Sequence, residues 1–418
     1  MFEKARNTVA DVVHGTCDPR FDEVLAEFER NFAHRGEVGA SVHVTVDGQS
    51  VVDLWGGVAD PEIERPWTED TVAHVWSSTK GATALCAHLL AARGELDLNA
   101  PVVTYWPEFG AAGKRDVLVR HLLNHQSGLA ALREAVPKGA LYNWDYMVNA
   151  LANAEPLWAP GTRHGYHGLT FGFLVGEVVR RVSGVGLGEF FQREFADPLE
   201  LDFWLGLPEE VEDRVAPILP PDLVAPGVHL PSLYQAAIAD PRSISGLMVH
   251  NNGGYLVPGE SDTREAHAAV MGAVGGITGA RGLAGLYRPV ALDGSFGPVR
   301  LFPRDYLPIL GVVESAALDA VILTPTRFGL GFVKSVDNRY LPGGDAESVL
   351  LSEDAFGHSG IGGSLGFADP RARISFGYVM NQQGVGIGIN PRGQALVDAV
   401  YRALGHRRSH GGGAWYPA

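Results

Sequence analysis

The chain has 418 residues, 46% of them hydrophobic and 19% charged, with a net charge of −15 at pH 7. That composition allows one large core or two to three small ones, and excludes long disorder and a membrane-embedded chain. The acidic balance repels phosphate backbones and anionic lipid, so neither nucleic acid nor a membrane surface is expected as a partner.

Charged residues interrupt the first fifteen positions (Glu3, Lys4, Arg6, Asp11), leaving no apolar core for a secretory signal. No stretch reaches the ~18 apolar residues of a membrane span. Cys17 and Cys86 are far apart, which argues against a disulfide framework, and neither stands at metal-ligand spacing with a histidine. A cytoplasmic protein is expected.

Phe21, Val24, Leu25 and Phe28 recur at helical spacing and predict a helix over 20–32. Strands follow over 38–46 and 50–59, joined by the hairpin pair Asp47-Gly48. A helix over 77–93 ends at Gly94. From 97 to 287 helical patterns and Pro/Gly loops dominate, with helices over 117–124, 145–152 and 169–182. Strand character returns over 327–336, 364–368 and 374–379. A last helix over 391–404 carries Pro391 in its first turn, and the Gly/Arg/His-rich tail 406–418 reads as frayed. These elements predict a single α/β (α+β) catalytic unit. An antiparallel sheet built from both termini, about 1–76 and 288–418, is flanked by helices. A mostly helical subdomain, about 77–287, interrupts it, and the site lies in the cleft between them.

Three segments carry chemistry. In Ser77-Ser78-Thr79-Lys80 the i, i+3 spacing puts the hydroxyl of Ser77 and the amine of Lys80 on one helical face, near the positive end of the helix dipole. A desolvated lysine gives up its proton more easily and can then take one from serine. The lysines are only Lys4, Lys80, Lys114, Lys138 and Lys334 in an Arg-dominated set, so this is the one S-x-x-K. In Gly165-Tyr166-His167-Gly168 a tyrosine on a Gly-flanked loop projects its phenol into a cleft, where a lysine ammonium would ease loss of its proton. The third is the glycine-rich run 357–363, Gly-His-Ser-Gly-Ile-Gly-Gly, which lets a substrate lie close to backbone N–H groups. Each segment also has a plain structural reading: an N-cap serine, a capping tyrosine, a glycine-rich turn.

Gly362-Gly363-Ser364-Leu365-Gly366 matches the G-x-S-x-G nucleophile elbow. It lacks the strand before and helix after that the elbow needs, so Ser364 is not expected as nucleophile. No H-E-x-x-H, P-loop or dinucleotide-binding glycine motif is present, and no metal or cofactor is expected. His121 and His125 share a helical face but read as core or loop anchors.

The order S-x-x-K, then Tyr166, then His358-Ser359-Gly360 resembles the β-lactamase and penicillin-binding-protein superfamily. Within it the likeness is to family VIII carboxylesterases and class C β-lactamases. It runs over about 21–403 and includes Arg93-Gly94-Glu95-Leu96-Asp97-Leu98, Leu122 to Leu129, Pro160-Gly161-Thr162, Leu205 to Pro208, Gly275-Gly276-Ile277 and Gly366 to Pro370. The resemblance implies a β-lactamase/transpeptidase-like fold. It implies acylation of Ser77, a general-base pair of Lys80 and Tyr166, and an oxyanion hole from the backbone N–H groups of Ser77 and Ile361. Substrate contacts are expected from His358, Ser359, Gly360 and His167.

Two departures narrow the substrate. The Lys-Thr-Gly of class C β-lactamases is here His358-Ser359-Gly360, and the Asn closing their second motif is here Gly168. Both losses argue against efficient β-lactam hydrolysis. His358 is expected to make activity pH-dependent near neutrality. The leading expectation is a carboxylesterase on small-molecule esters. An acyltransferase of secondary metabolism, passing the acyl group to an amine or alcohol, is the alternative. A β-lactamase, a D-Ala-D-Ala peptidase and a non-catalytic binding protein rank lower.

Overall fold

The structure is a computed structural model and describes residues 12–223 and 227–418, so most of the N-terminal segment read against a secretory signal lies outside the described residues. Its largest element is a seven-stranded sheet that joins the two chain ends. The strands are β1 (Val13–Cys17), β2 (Gly39–Val46), β3 (Gln49–Asp60) and, near the other end, β8 (Phe356–Ser359), β9 (Leu365–Asp369) and β10 (Ile374–Met380). They lie in the order β1-β3-β2-β10-β9-β8, with the short strand Arg65–Pro66 pairing on β3. All six are antiparallel to their neighbours, and β10 runs against β2 from Ile374 opposite Val46 to Met380 opposite Ala40.

Helices α1 (Asp22–His34) and α5 (Pro391–Ala403) pack on one face of this sheet, over a core that includes Phe28, Val42, Phe376 and Leu396. Helix α4 (Ala280–Ala291) covers the other face. The close approach of α4 requires glycine in the strands: a Cβ at Gly377 would lie 2.3 Å from Ala280 O, and one at Gly366 would lie 2.7 Å from Leu283. Helix α4 crosses the boundary expected between residues 287 and 288 and belongs with the sheet from its first turn.

The middle of the chain forms the helical unit around α2 (Thr79–Ala92), whose residues 79–90 are all buried, and α3 (Thr170–Ser183) packed against it. A helix buried on all sides sits at a core's centre. This unit also holds a four-stranded sheet absent from the sequence reading. It is made of β4 (Val72–His74), β5 (Phe203–Leu205), β6 (Val215–Ala216) and β7 (Gly276–Thr278), in the order β5-β7-β4-β6. Strands of two or three residues are too short to show a period of two.

Two expectations are corrected. The strand expected over 327–336 stops at Phe328, because Gly331 turns the chain at φ +88° and donates its N–H to Leu123 O; only isolated bridges at Val333 and Val336 follow. The tail is ordered rather than frayed. Arg407–Arg408 pairs with Trp415–Tyr416, and Trp415 is buried with its ring stacked 5.6 Å from Tyr401. No helix among the described residues is long and apolar enough to cross a membrane.

Candidate active site

The turn that presents Ser77 joins β4 to α2. Val75 donates to Gly276 O at 2.9 Å, and Trp76 then adopts φ +48°, a strained conformation for a bulky residue. Such strain persists only where the surroundings hold it. Here the Trp76 ring is held edge-on by His74 at 4.6 Å and by Tyr255 at 6.1 Å. Gly276 N–H donates to Thr79 Oγ1 at 2.8 Å. Ser78 Oγ donates to His358 O at 3.2 Å and lies 3.0 Å from Ser364 Oγ, which donates to Val75 O at 2.7 Å. These bonds lock the start of α2 to β8. They also occupy the buried Ser364 as a clamp, consistent with its rejection as a nucleophile.

Lys80 is fully buried, with Nζ 3.1 Å from Ser77 Oγ, 2.8 Å from Gly168 O and 3.0 Å from Ala273 O. No carboxylate among the described residues pairs with it. Burial drives its pKa well below that of a free lysine. A neutral amine has two N–H donors and one lone pair. The two carbonyls take the donors, which leaves the lone pair for the Ser77 hydroxyl.

Tyr166 is half-buried, its ring 4.7 Å below Lys80 Nζ and its hydroxyl within hydrogen-bonding reach of Ser77. Burial pushes the phenol pKa up; the Ser77 hydrogen bond opposes this, and the negative Asp319 adds to it. The phenol pKa therefore moves up, against the expectation that a lysine ammonium eases proton loss from Tyr166. The loop owes its position to two residues the sequence reading did not assign to it. The buried carboxylate of Asp319 accepts from the N–H groups of Tyr166 (3.1 Å), Val321 (2.8 Å) and Ile322 (2.9 Å). His125, at φ +63°, accepts on its carbonyl from Gly165 N–H, and its ring lies against Tyr166 and Phe328.

His167 is corrected as a substrate contact. It is fully buried, Nδ1–H donates to Gly165 O at 2.7 Å and Nε2 accepts from Ser127 Oγ at 2.7 Å, so both nitrogens are spent on holding the Tyr166 loop. Gly168 offers its carbonyl to Lys80, and a Cβ there would lie 2.8 Å from Met248 Sδ. Met248 fills the space that a side chain at 168 would take.

Opposite Ser77 runs the edge of β8. His358 and Ser359 line the cleft, and so does Ile361 just beyond them. His358 Nδ1–H donates to Ser359 O at 2.7 Å, which makes Nε2 the acceptor nitrogen; Nε2 has no hydrogen-bond partner. Burial lowers the His358 pKa to about 3, so the expected pH dependence near neutrality does not come from this residue. Gly360 is also corrected, because its place is in the packing and not in the cleft wall. A Cβ there would stand 2.3 Å from both Val75 O and Ser364 Oγ. Gly360→Ala is expected to cost about 1–3 kcal/mol by overpacking. It should also lower turnover by lifting β8 away from Ser77, as denaturant titration and initial rates will report.

The cleft lies between the helical unit and the sheet. Its walls are mainly apolar, with Leu233, Met248, Val274, Phe328 and Ile387 among them.

A terminus-to-terminus antiparallel sheet backed by helices, with an S-x-x-K helix at its junction with a helical unit, is the β-lactamase/transpeptidase-like fold. The family model described as Beta-lactamase matches residues 25–398, and the chain belongs to this family. It is 36% identical over 379 residues to the esterase/β-lactamase LipL of Mycobacterium tuberculosis, covering 88% of this chain and 83% of that protein. Among solved structures it is similar to a family VIII carboxylesterase, with a TM-score of 0.82 and 37% identity over 94% of this chain and all of the other. It is also similar to a penicillin-binding-protein homologue from Caulobacter crescentus, with a TM-score of 0.81 and 32% identity over the same shares.

Proposed function

We propose that this protein is a serine carboxylesterase that acts on small-molecule esters through an acyl-enzyme on Ser77. The observation that carries the reading is the buried Lys80 amine 3.1 Å from Ser77 Oγ, its pKa driven down by burial and its Nζ also held by two carbonyl oxygens. Lys80 Nζ accepts the Ser77 proton as Oγ attacks the ester carbonyl carbon. The backbone N–H groups of Ser77 and Ile361 stabilise the resulting oxyanion. The Tyr166 phenol gives its proton to the departing alkoxide and regains one from Lys80. In the second half, water loses a proton to the same pair, attacks the acyl carbonyl and frees Ser77. Positioned acid–base groups are each worth roughly 10²–10⁴ in rate, and an oxyanion donor about 10²–10³. His358 Nε2 and Ser359 meet the substrate from β8, His358 as a neutral acceptor.

Relatives described as a carboxylesterase and as an esterase/β-lactamase support ester hydrolysis. β-Lactam hydrolysis is less favoured, because a neutral His358 offers no cation to a β-lactam carboxylate and Met248 fills the place of an amide-binding side chain at 168. A cytoplasmic location belongs to the same reading, supported by two free thiols, Cys17 and Cys86. Intact-mass analysis after incubation with p-nitrophenyl acetate tests the core of the proposal. An acetyl adduct that is absent in Ser77→Ala supports it; turnover that persists in Ser77→Ala overturns it.

Acyl transfer to an alcohol or amine is the second reading. A further apolar groove meets the cleft at Trp76, Leu256 and Ile361, which gives an acceptor room beside the acyl-serine. Product analysis with added alcohols separates the two, since hydrolysis alone under every acceptor removes the transferase reading.

A further inference from the structure

One acidic side chain in the cleft has no part in the acyl-transfer chemistry. Glu347 lines the same cavity as Ser77 and is only 6% exposed. Its Oε1 accepts from Ser232 N–H at 3.1 Å, at the first turn of the helix Ser232–Ala239. No lysine, arginine or histidine forms an ion pair with it among the described residues. Arg327 on the cavity wall is committed elsewhere, with NH1 and NH2 on Glu353 at 3.0 and 2.9 Å and NH1 also on Ser335 O. A buried carboxylate with no cation opposite it is costly. Burial accordingly raises its pKa, against the pull of the Ser232 hydrogen bond.

The position is tied to the chemistry through the chain. Ser359 Oγ donates to Ile387 O at 3.3 Å, and Gly388 N–H donates to Ala346 O at 2.9 Å. Glu347 is thus joined to Ser359 through the chain at Ile387 and Gly388. On the other wall Asn338 Nδ2 bridges Pro325 O and Glu347 O, and the same strand carries Phe328, whose ring stacks on Tyr166. Between the two ends Val333, Val336, Val349 and Ile387 give the wall an apolar stretch, beside Thr324, Thr326 and the ion-paired Arg327.

We propose that Glu347 is a specificity residue that pairs with a cationic amine carried on the far end of the substrate, an apolar spacer separating that amine from the scissile carbonyl. The preferred substrates are then amino-substituted esters. This rests on the acyl-enzyme reading above, and the test keeps the two apart.

The experiment measures kcat/KM for p-nitrophenyl esters of ω-amino acids against alkyl esters of equal length, in wild type, Glu347→Gln and Ser77→Ala. The glutamine side chain keeps an oxygen for Ser232 N–H but carries no charge, so a purely capping role would leave the amine-to-alkyl ratio unmoved. Wild type is expected to favour the amino ester about 10- to 100-fold at the optimal spacer length, the size of a hydrogen bond to a charged group. The ratio should collapse towards unity in Glu347→Gln, chiefly through KM. No amine preference in wild type at any spacer length, or a preference that survives Glu347→Gln, overturns the assignment. Hydrolysis of both esters persisting in Ser77→Ala overturns the acyl-enzyme reading instead.

Discussion

Ser77→Ala is expected to lower kcat/KM for p-nitrophenyl acetate by at least about 10⁴-fold, as removal of a nucleophile does in other serine hydrolases. Only Oγ is lost, from a residue already 4% exposed. Lys80 keeps both carbonyl partners, and the clamp from Ser78 and Ser364 to β8 and Val75 is untouched. Stability should therefore shift by less than about 1 kcal/mol. The variant separates chemistry from folding: a deep loss of rate with a native denaturation midpoint. Activity within tenfold of wild type would remove Ser77 from the mechanism, and hydrolysis and transfer together with it.

Lys80→Met is expected to lower kcat by about 10²–10⁴, and it carries a second signature in the pH dependence of stability. The folded-state pKa of Lys80 lies well below 10.5. Between that value and 10.5 the unfolded chain binds a proton that the folded chain refuses, so wild-type stability rises with pH across that window. Methionine does not titrate, so the variant should lose this slope. Its stability relative to wild type should be best at the acid end of the window, after the cost of leaving Gly168 O and Ala273 O without a donor. Chemical denaturation at several pH values measures both slopes, and parallel slopes would mean that Lys80 is charged in the folded protein. The acid limb of wild-type kcat/KM should follow Lys80 and stay in place in His358→Asn, because His358 titrates at about 3.

The pairing of Ser77 with Lys80 was legible because its logic is local. Ser77 and Lys80 stand three residues apart on one helix, in a chain with almost no other lysines, and Tyr166 sits between glycines. The main sheet was legible for the same reason: β2, β3 and β10 are long enough to show strand composition. What holds the site together was not. Asp319 serves Tyr166 from 153 residues away, and an isolated acidic residue in a loop carries no local mark of three backbone partners. His167 looked like a substrate contact because it follows Tyr166, yet only the fold reveals Ser127 beneath it. Gly360 was read as open backbone for a ligand, whereas the nearness of Val75 is what requires glycine. The tail misled through composition, since glycine-rich sequence reads as loose until Tyr401 is known to offer Trp415 a stacking face.

The pairing of β2 with β10 has a consequence for how the protein is made. Gly39 N–H donates to Asn381 Oδ1, 342 residues further along the chain. At the roughly 5–20 residues per second of synthesis, the first hairpin leaves the ribosome tens of seconds before its central partner strand exists. Through that interval the open edge of β2 is available to other chains. Yield in the cell should therefore depend on translation rate and chaperone supply. Nascent chains ending before about residue 380 should be prone to aggregate, however sound the native state they never reach.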